Sequence, residues 1–213
     1  MKKNSIIYVF DPYCTWCYAM SDVVSRVVAE YSDKLDFVAM TGGMVLDNSV
    51  GSINDNFSFL KTEIEKVASY TGCQFGPNFR KNILENGEYV INSFEPSLAT
   101  RVFKSLDESN QTLDFIHKLQ EAFYFDGLDI KNINVILDIV NKFNVDTLEF
   151  RQRFDDETYH NLTRVEFDNV KSWGISGYPT LLYKKEEQVY LVASGYQFLI
   201  DLKNIMNQIV AQN

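Results

Sequence analysis

Cys14 and Cys17 stand three residues apart in Asp11-Pro12-Tyr13-Cys14-Thr15-Trp16-Cys17, directly after an apolar run. Such a pair can clasp a metal ion, form a buried structural bridge, or exchange electrons as a dithiol. A structural zinc ion needs four protein ligands, and a catalytic one about three. The other candidates, Cys73, His117 and His160, are isolated, and the chain has neither a second C-x-x-C nor an H-x-x-x-H. No metal site is expected. Three cysteines in 213 residues are also too few for a secreted disulfide framework. The dithiol remains.

A dithiol of this spacing works best at the start of a helix. Unpaired backbone N–H groups and the positive end of the helix dipole there favour the thiolate of the first cysteine. Cys14 is then expected as the exposed nucleophile. Cys17, one turn later on the same helix face and deeper, is placed to resolve a mixed disulfide by attacking the Cys14 sulfur. Thr15 and Trp16 bring no cation. The expected potential therefore lies toward the reducing end of the range of about −270 to −120 mV spanned by such proteins. Cys73 reads as a small buried hydrophobe, and the two histidines as surface or capping residues of helices. Gly42-Gly43 lacks any phosphate-loop context and reads as a turn closing a strand.

The flanking pattern supplies the helix start. Ser5–Phe10 is β-branched and aromatic and reads as a buried strand ended by Asp11-Pro12. From Cys14 or Thr15 to about Tyr31, Val23, Val24, Val27 and Val28 recur at helical spacing, and residues 34–43 form a second strand. Strand, helix and strand make a right-handed βαβ unit with a parallel pair. Residues 45 to about 172 read almost entirely as helix, with one continuous helix running from Ser52 toward Gly72. Residues 177–185 and 188–195 then form a hairpin about Glu186-Glu187, and Leu199, Leu202, Ile205, Met206 and Ile209 face inward from a last helix. The fold class is α/β. Residues 1–44 and 173–213 form one unit whose two chain ends share a sheet, and residues 45–172 are a helical insertion.

Pro179, in Gly174-Ile175-Ser176-Gly177-Tyr178-Pro179-Thr180, stands at the entrance of a strand. Together with the cysteine pair, Thr41-Gly42-Gly43-Met44 and the helical insertion, it makes the chain resemble the DsbA-like thioredoxin-fold family. The likeness is greatest to the soluble branch of predicted protein-disulfide isomerases, near the FrnE-like oxidoreductases, and covers nearly the whole chain. It implies a cis Tyr178–Pro179 bond lying against the cysteines. The exposed backbone of Tyr178 would pair with an extended substrate, and Gly177 would allow close approach. Trp16, between the cysteines, is expected to be largely exposed and to touch substrate. One departure stands out: such proteins carry a buried acid six residues before the nucleophile, where this chain has Tyr8. The nearest acid is Asp11, so either a water or a Lys or Glu from elsewhere handles the resolving proton, or the exchange step is slower.

The resemblance implies a thiol–disulfide oxidoreductase, a reductase or isomerase of protein disulfides, with Cys14 and Cys17 as the redox pair. It needs no organic cofactor, only an external thiol reductant such as glutathione or a thioredoxin-like donor. Substrates would be protein or peptide thiols and disulfides. Two rivals belong to related folds: a glutathione-dependent kappa-type transferase or isomerase, and a redox-sensing adaptor. A formal charge of −9 and a pI near 4.7, with no basic stripe, argue against nucleic acid and anionic membranes as partners. The apolar run after Lys2-Lys3 is shorter than a secretion signal needs, so a cytoplasmic location is expected.

Overall fold

The computed structural model describes residues 4–212. The chain opens with β1 (Ser5–Phe10), α1 (Thr15–Tyr31) and β2 (Asp36–Thr41). A middle stretch follows with β3 (Gly51–Ser52), α2 (Ile53–Asn56), α3 (Leu60–Thr71), α4 (Pro77–Phe79) and β4 (Val90–Ile91). The π-helical turn Arg80–Glu85 extends α4. The middle stretch continues with α5 (Phe94–Leu106), α6 (Thr112–Tyr124), α7 (Ile133–Val140), α8 (Thr147–Phe154) and α9 (Glu157–Ser172). The chain closes with β5 (Thr180–Lys185), β6 (Gln188–Ser194) and α10 (Leu199–Ala211).

Both ends of the chain build one four-stranded sheet in the order β2-β1-β5-β6. β1 lies parallel to β2 from Ser5↔Asp36 to Phe10↔Thr41 and antiparallel to β5. Alternation along β1 sends its side chains to opposite faces. Ile6, Tyr8 and Phe10 meet α1 and α10 through Met20, Val24, Val27, Leu202 and Met206. Ile7 and Val9 meet Val170 of α9 and Leu182. Both faces are covered, which is why β1 is apolar throughout rather than alternating.

Helix α1 carries a second stripe. Tyr18, with Tyr13 just ahead of the helix, packs into the large core of the middle helices, among Phe75, Phe79, Phe123 and Tyr124. One helix thus lies in two cores at once. A second tie is Glu166 of α9, nearly buried, which accepts from the Thr41 N–H at 2.8 Å and pairs with Lys104 at 2.9 Å and Arg101 at 3.4 Å. The end of β2 is thereby fixed to α5 and α9.

The middle stretch is less uniformly helical than its pattern suggests. β3 and β4 form a short antiparallel ladder, Gly51↔Ile91 and Ser52↔Val90. The continuous helix expected from Ser52 divides into α2 and α3. Ser52 caps α2 by accepting the Asp55 N–H, and the turn closes at once with Phe57 N–H on the Ile53 carbonyl. Gly72, at φ +77, ends α3 as expected.

Candidate functional site

Asp11-Pro12-Tyr13 turns the chain from β1 into α1, and the Cys14 N–H closes that turn on the Asp11 carbonyl at 3.1 Å. Cys14 is the N-cap of α1, in extended geometry at φ −83, ψ 112, and its Sγ accepts the Cys17 N–H at 3.1 Å. The sulfur therefore does what a serine or aspartate oxygen does at other helix starts. Both cysteines are free thiols. Cys17 is fully buried. Burial pushes its thiol well up, and the hydrogen bond and charge of Cys14 push it further; the Asp11 backbone N–H opposes this.

The expectation of an exposed Cys14 needs correction. Cys14 keeps only 5 % of its surface, because Trp16, Tyr178 and Tyr196 pack against the cluster that holds both cysteines. Trp16 is likewise half-buried rather than largely exposed. Its Nε1–H donates to Glu63 of α3, Lys66 Nζ lies 5.6 Å from its ring, and Tyr70 and Tyr196 flank it at 5.9 and 6.3 Å. α3 closes over Trp16.

Asp11 organises the turn. Fully buried, it accepts the Tyr13 N–H at 2.9 Å, the Ser93 hydroxyl at 2.9 Å and the Met44 N–H at 2.7 Å. Burial raises its carboxyl above the ordinary value, and these three donors lower it in part. The Asp11 carbonyl also accepts from buried Gln120, and the Tyr13 carbonyl from Tyr124 at 2.6 Å. Tyr8 donates to the Cys17 carbonyl at 3.4 Å. Burial first, then the Cys17 and Cys14 charges, hold its phenol well above the usual range. Tyr8 therefore keeps its proton and does not replace an acid.

The Tyr178–Pro179 peptide is cis. Tyr178 packs against the cysteine cluster and donates to the Gly42 carbonyl at 3.0 Å. Its phenol is pushed up to about 12 by burial, then by the charges of Asp11, Cys17 and Cys14. Among the described residues its backbone N–H and C=O have no protein partner. Gly177 lies in the exposed loop just before, and a Cβ there would meet nothing within 4 Å. The sterically demanding glycine is Gly42, where a Cβ would fall 2.1 Å from the Tyr178 ring. Nothing local in Thr41-Gly42-Gly43 signals that contact.

The remaining candidates lie apart. Cys73 is half-buried, its thiol pushed up to about 11 by desolvation. His117 shares a 2.6 Å hydrogen bond with Ser21, and His160 meets the Phe154 carbonyl at 3.0 Å. Among the described residues, no three His, Cys, Asp or Glu side chains converge as metal ligands. No described helix is long and apolar enough to cross a membrane.

Residues 5–204 match the family profile of the DSBA-like thioredoxin domain. Among solved structures, a candidate protein disulfide isomerase from Nitrosomonas europaea is 24 % identical, with a TM-score of 0.87 and complete coverage of both chains. The cytosolic disulfide reductase DsbM from Pseudomonas aeruginosa is 20 % identical over 98 % of this chain and 100 % of its own, with a TM-score of 0.83. A structure of DsbM with GSH superposes with a TM-score of 0.73, at 23 % identity over 89 % of each chain. At these identities the likeness is one of fold. The ClpXP adapter protein SpxH of Bacillus subtilis (strain 168) is 22 % identical over 205 residues, or 92 % of this chain. The chain spans 65 % of the length of that relative.

Proposed function

The chain belongs to the DSBA-like thioredoxin domain family, and from that premise we propose that it is a cytoplasmic thiol–disulfide oxidoreductase, a reductase or isomerase of protein and peptide disulfides. The observation that carries this reading is the Cys14 sulfur held as the cap of α1, with Cys17 buried one turn behind it. The Cys17 N–H on the Cys14 sulfur fixes that sulfur at the head of the helix, one turn from the thiol that would resolve it.

Cys14 attacks one sulfur of a substrate disulfide, forming a Cys14–substrate bond and releasing the other sulfur as a thiol. Cys17 then loses its proton and attacks Cys14. The Cys14–Cys17 disulfide forms, the second substrate thiol leaves, and two electrons have moved to the substrate. An external thiol, glutathione or a thioredoxin-like protein, restores the dithiol. The unpaired Tyr178 backbone offers an extended substrate two hydrogen bonds beside Pro179, and Gly177 leaves room for its approach. The presence of GSH on a DsbM structure of the same fold supports a glutathione partner. No organic cofactor or metal enters the scheme.

The likeness to the SpxH adapter favours a second reading, in which the pair senses redox state and the chain delivers a protein to a protease. Cys17→Ala separates the two, because a mixed disulfide at Cys14 then persists. Many captured clients favour the oxidoreductase and one dominant client the adaptor. No capture at all would overturn the exchange chemistry.

A further inference from the structure

Alternation along β1 turns Tyr8 toward α1, into the buried cluster that holds Cys14 and Cys17. Its ring stacks on Phe10 at 5.6 Å, with the planes 4° apart, which fixes the direction of the hydroxyl. Tyr8 keeps 2 % of its surface and Cys17 none. The hydroxyl ends 3.4 Å from the Cys17 carbonyl, long for an O–H···O bond, whose usual length is about 2.7–2.8 Å. That carbonyl also lies inside α1, where each carbonyl already takes the N–H four residues on. The phenol proton is therefore loosely held. The Cys17 side chain acts on the same hydroxyl through hydrogen bonding as well as charge.

Two acceptors thus compete for one donor, and the charge on Cys17 decides between them. A thiol sulfur accepts weakly, so the carbonyl keeps the hydroxyl while Cys17 is protonated. A thiolate in the same place is a buried anion, costly unless hydrogen bonds meet it. The Asp11 backbone N–H is one donor to that sulfur. Tyr8 can be a second, and it keeps the proton it offers, because its phenol stays protonated. Hydrogen bonds to an ionised acceptor are about twice as strong as those between neutral groups.

We propose that the Tyr8 hydroxyl turns from the Cys17 carbonyl to the Cys17 sulfur when that sulfur becomes anionic, and as a donor stabilises the attacking thiolate of the resolving step. This rests on the oxidoreductase reading and adds a residue to the chemistry it gives Cys17. Cys17 gives its proton to solvent and attacks the Cys14 sulfur of the mixed disulfide. The Cys14–Cys17 bond forms, the Cys14–substrate bond breaks, and the departing sulfur takes a proton up. The protons balance, and Tyr8 ends as it began.

Tyr8→Phe removes the hydroxyl and keeps the stacked ring. In a Cys73→Ser background, so that only the pair reports, reduced full-length protein is mixed with excess dithiobis(nitrobenzoate) and followed by stopped-flow absorbance. Capture by Cys14 releases one nitrothiophenolate at a rate that grows with reagent, and resolution by Cys17 releases the second at a rate that does not. Losing one charge-assisted hydrogen bond should cut the thiolate fraction of Cys17 about ten- to hundredfold. The more basic sulfur recovers about the square root of that, so resolution should slow about three- to tenfold at neutral pH while capture holds. The slowing should fade as the solution is made alkaline, because a fully ionised Cys17 no longer loses thiolate. A packing role alone would slow resolution equally at every pH. Such a uniform loss, slowing of both phases alike, or a resolution rate within about twofold of the parent would each overturn the proposal and leave the oxidoreductase reading standing. If the parent protein releases no second nitrothiophenolate, that reading falls and this inference with it.

Discussion

Replacing Asp11 tests whether one buried carboxylate holds the reactive turn together. Asp11→Ala strips the acceptor from two backbone donors, Tyr13 N–H at 2.9 Å and Met44 N–H at 2.7 Å, and from the Ser93 hydroxyl at 2.9 Å. The hydroxyl can rotate, but the two amides cannot. Each orphaned buried donor costs about 1–3 kcal/mol, a gross loss of about 2–6 kcal/mol. Relief from burying a carboxylate returns part of this, so a net loss of about 2–4 kcal/mol is expected. Asp11→Asn keeps one acceptor oxygen and turns an amide NH₂ toward the other donor, so its loss should be about half as large. Urea unfolding at neutral pH measures both. The pH dependence gives a second reading. A carboxyl held above its ordinary 3.8 binds its proton more tightly in the native chain than in the unfolded one. Its contribution to stability is therefore fully present below 3.8, falls as pH rises through the native value, and stays low above it. That decline should disappear from the Asp11→Asn profile. An Asp11→Ala protein within 0.5 kcal/mol of the parent, a margin usual for inert surface changes, would refute the assignment of Asp11 as the anchor.

Two further substitutions probe the walls of the site. Gly42→Ala forces a methyl group into the Tyr178 ring and should cost about 1–3 kcal/mol of stability, as overpacking does. It should also lower kcat/KM for disulfide reduction. Adding it to Tyr178→Ala should cost nothing more, and equal damage in both backgrounds would show that the ring is not the obstacle. Trp16→Phe removes the indole donor to Glu63. In a cycle with Glu63→Ala, chemical unfolding should yield a coupling of about 0.5–1.5 kcal/mol, and a coupling of zero would mean that α3 is not latched there.

Local chemistry made the sheet, α1 and the cysteine pair legible in the sequence. A β-branched run ended by Asp-Pro and valines at helical spacing are signals carried within a few residues. The helix start then follows, and with it the place of Cys14 at its head; that its sulfur accepts the Cys17 N–H came from the structure. What escaped the sequence depends on distant partners. Trp16 stands beside Cys17 in the chain, but Glu63, Tyr70 and Tyr196 decide its burial. Trp16, Tyr178 and Tyr196, drawn from three separate segments, explain why Cys14 is nearly covered. Asp11 was visible as the nearest acid, but its partners Met44 and Ser93 come from other segments. The demand for glycine at position 42 arises from Tyr178, at the opposite end of the chain. The ladder of β3 and β4 has only two residues in each strand, too few to carry a period.

Helix α1, lodged between the sheet and the middle helices, makes excision a poor engineering strategy. A miniature built by joining the two terminal segments would bare Tyr13 and Tyr18, along with the greasy flank they now share with Phe75, Phe79 and Phe123. The naked flank would recruit neighbours in a test tube before any sulfur reacted. Nature's apparent ornament is, for this helix, its second wall.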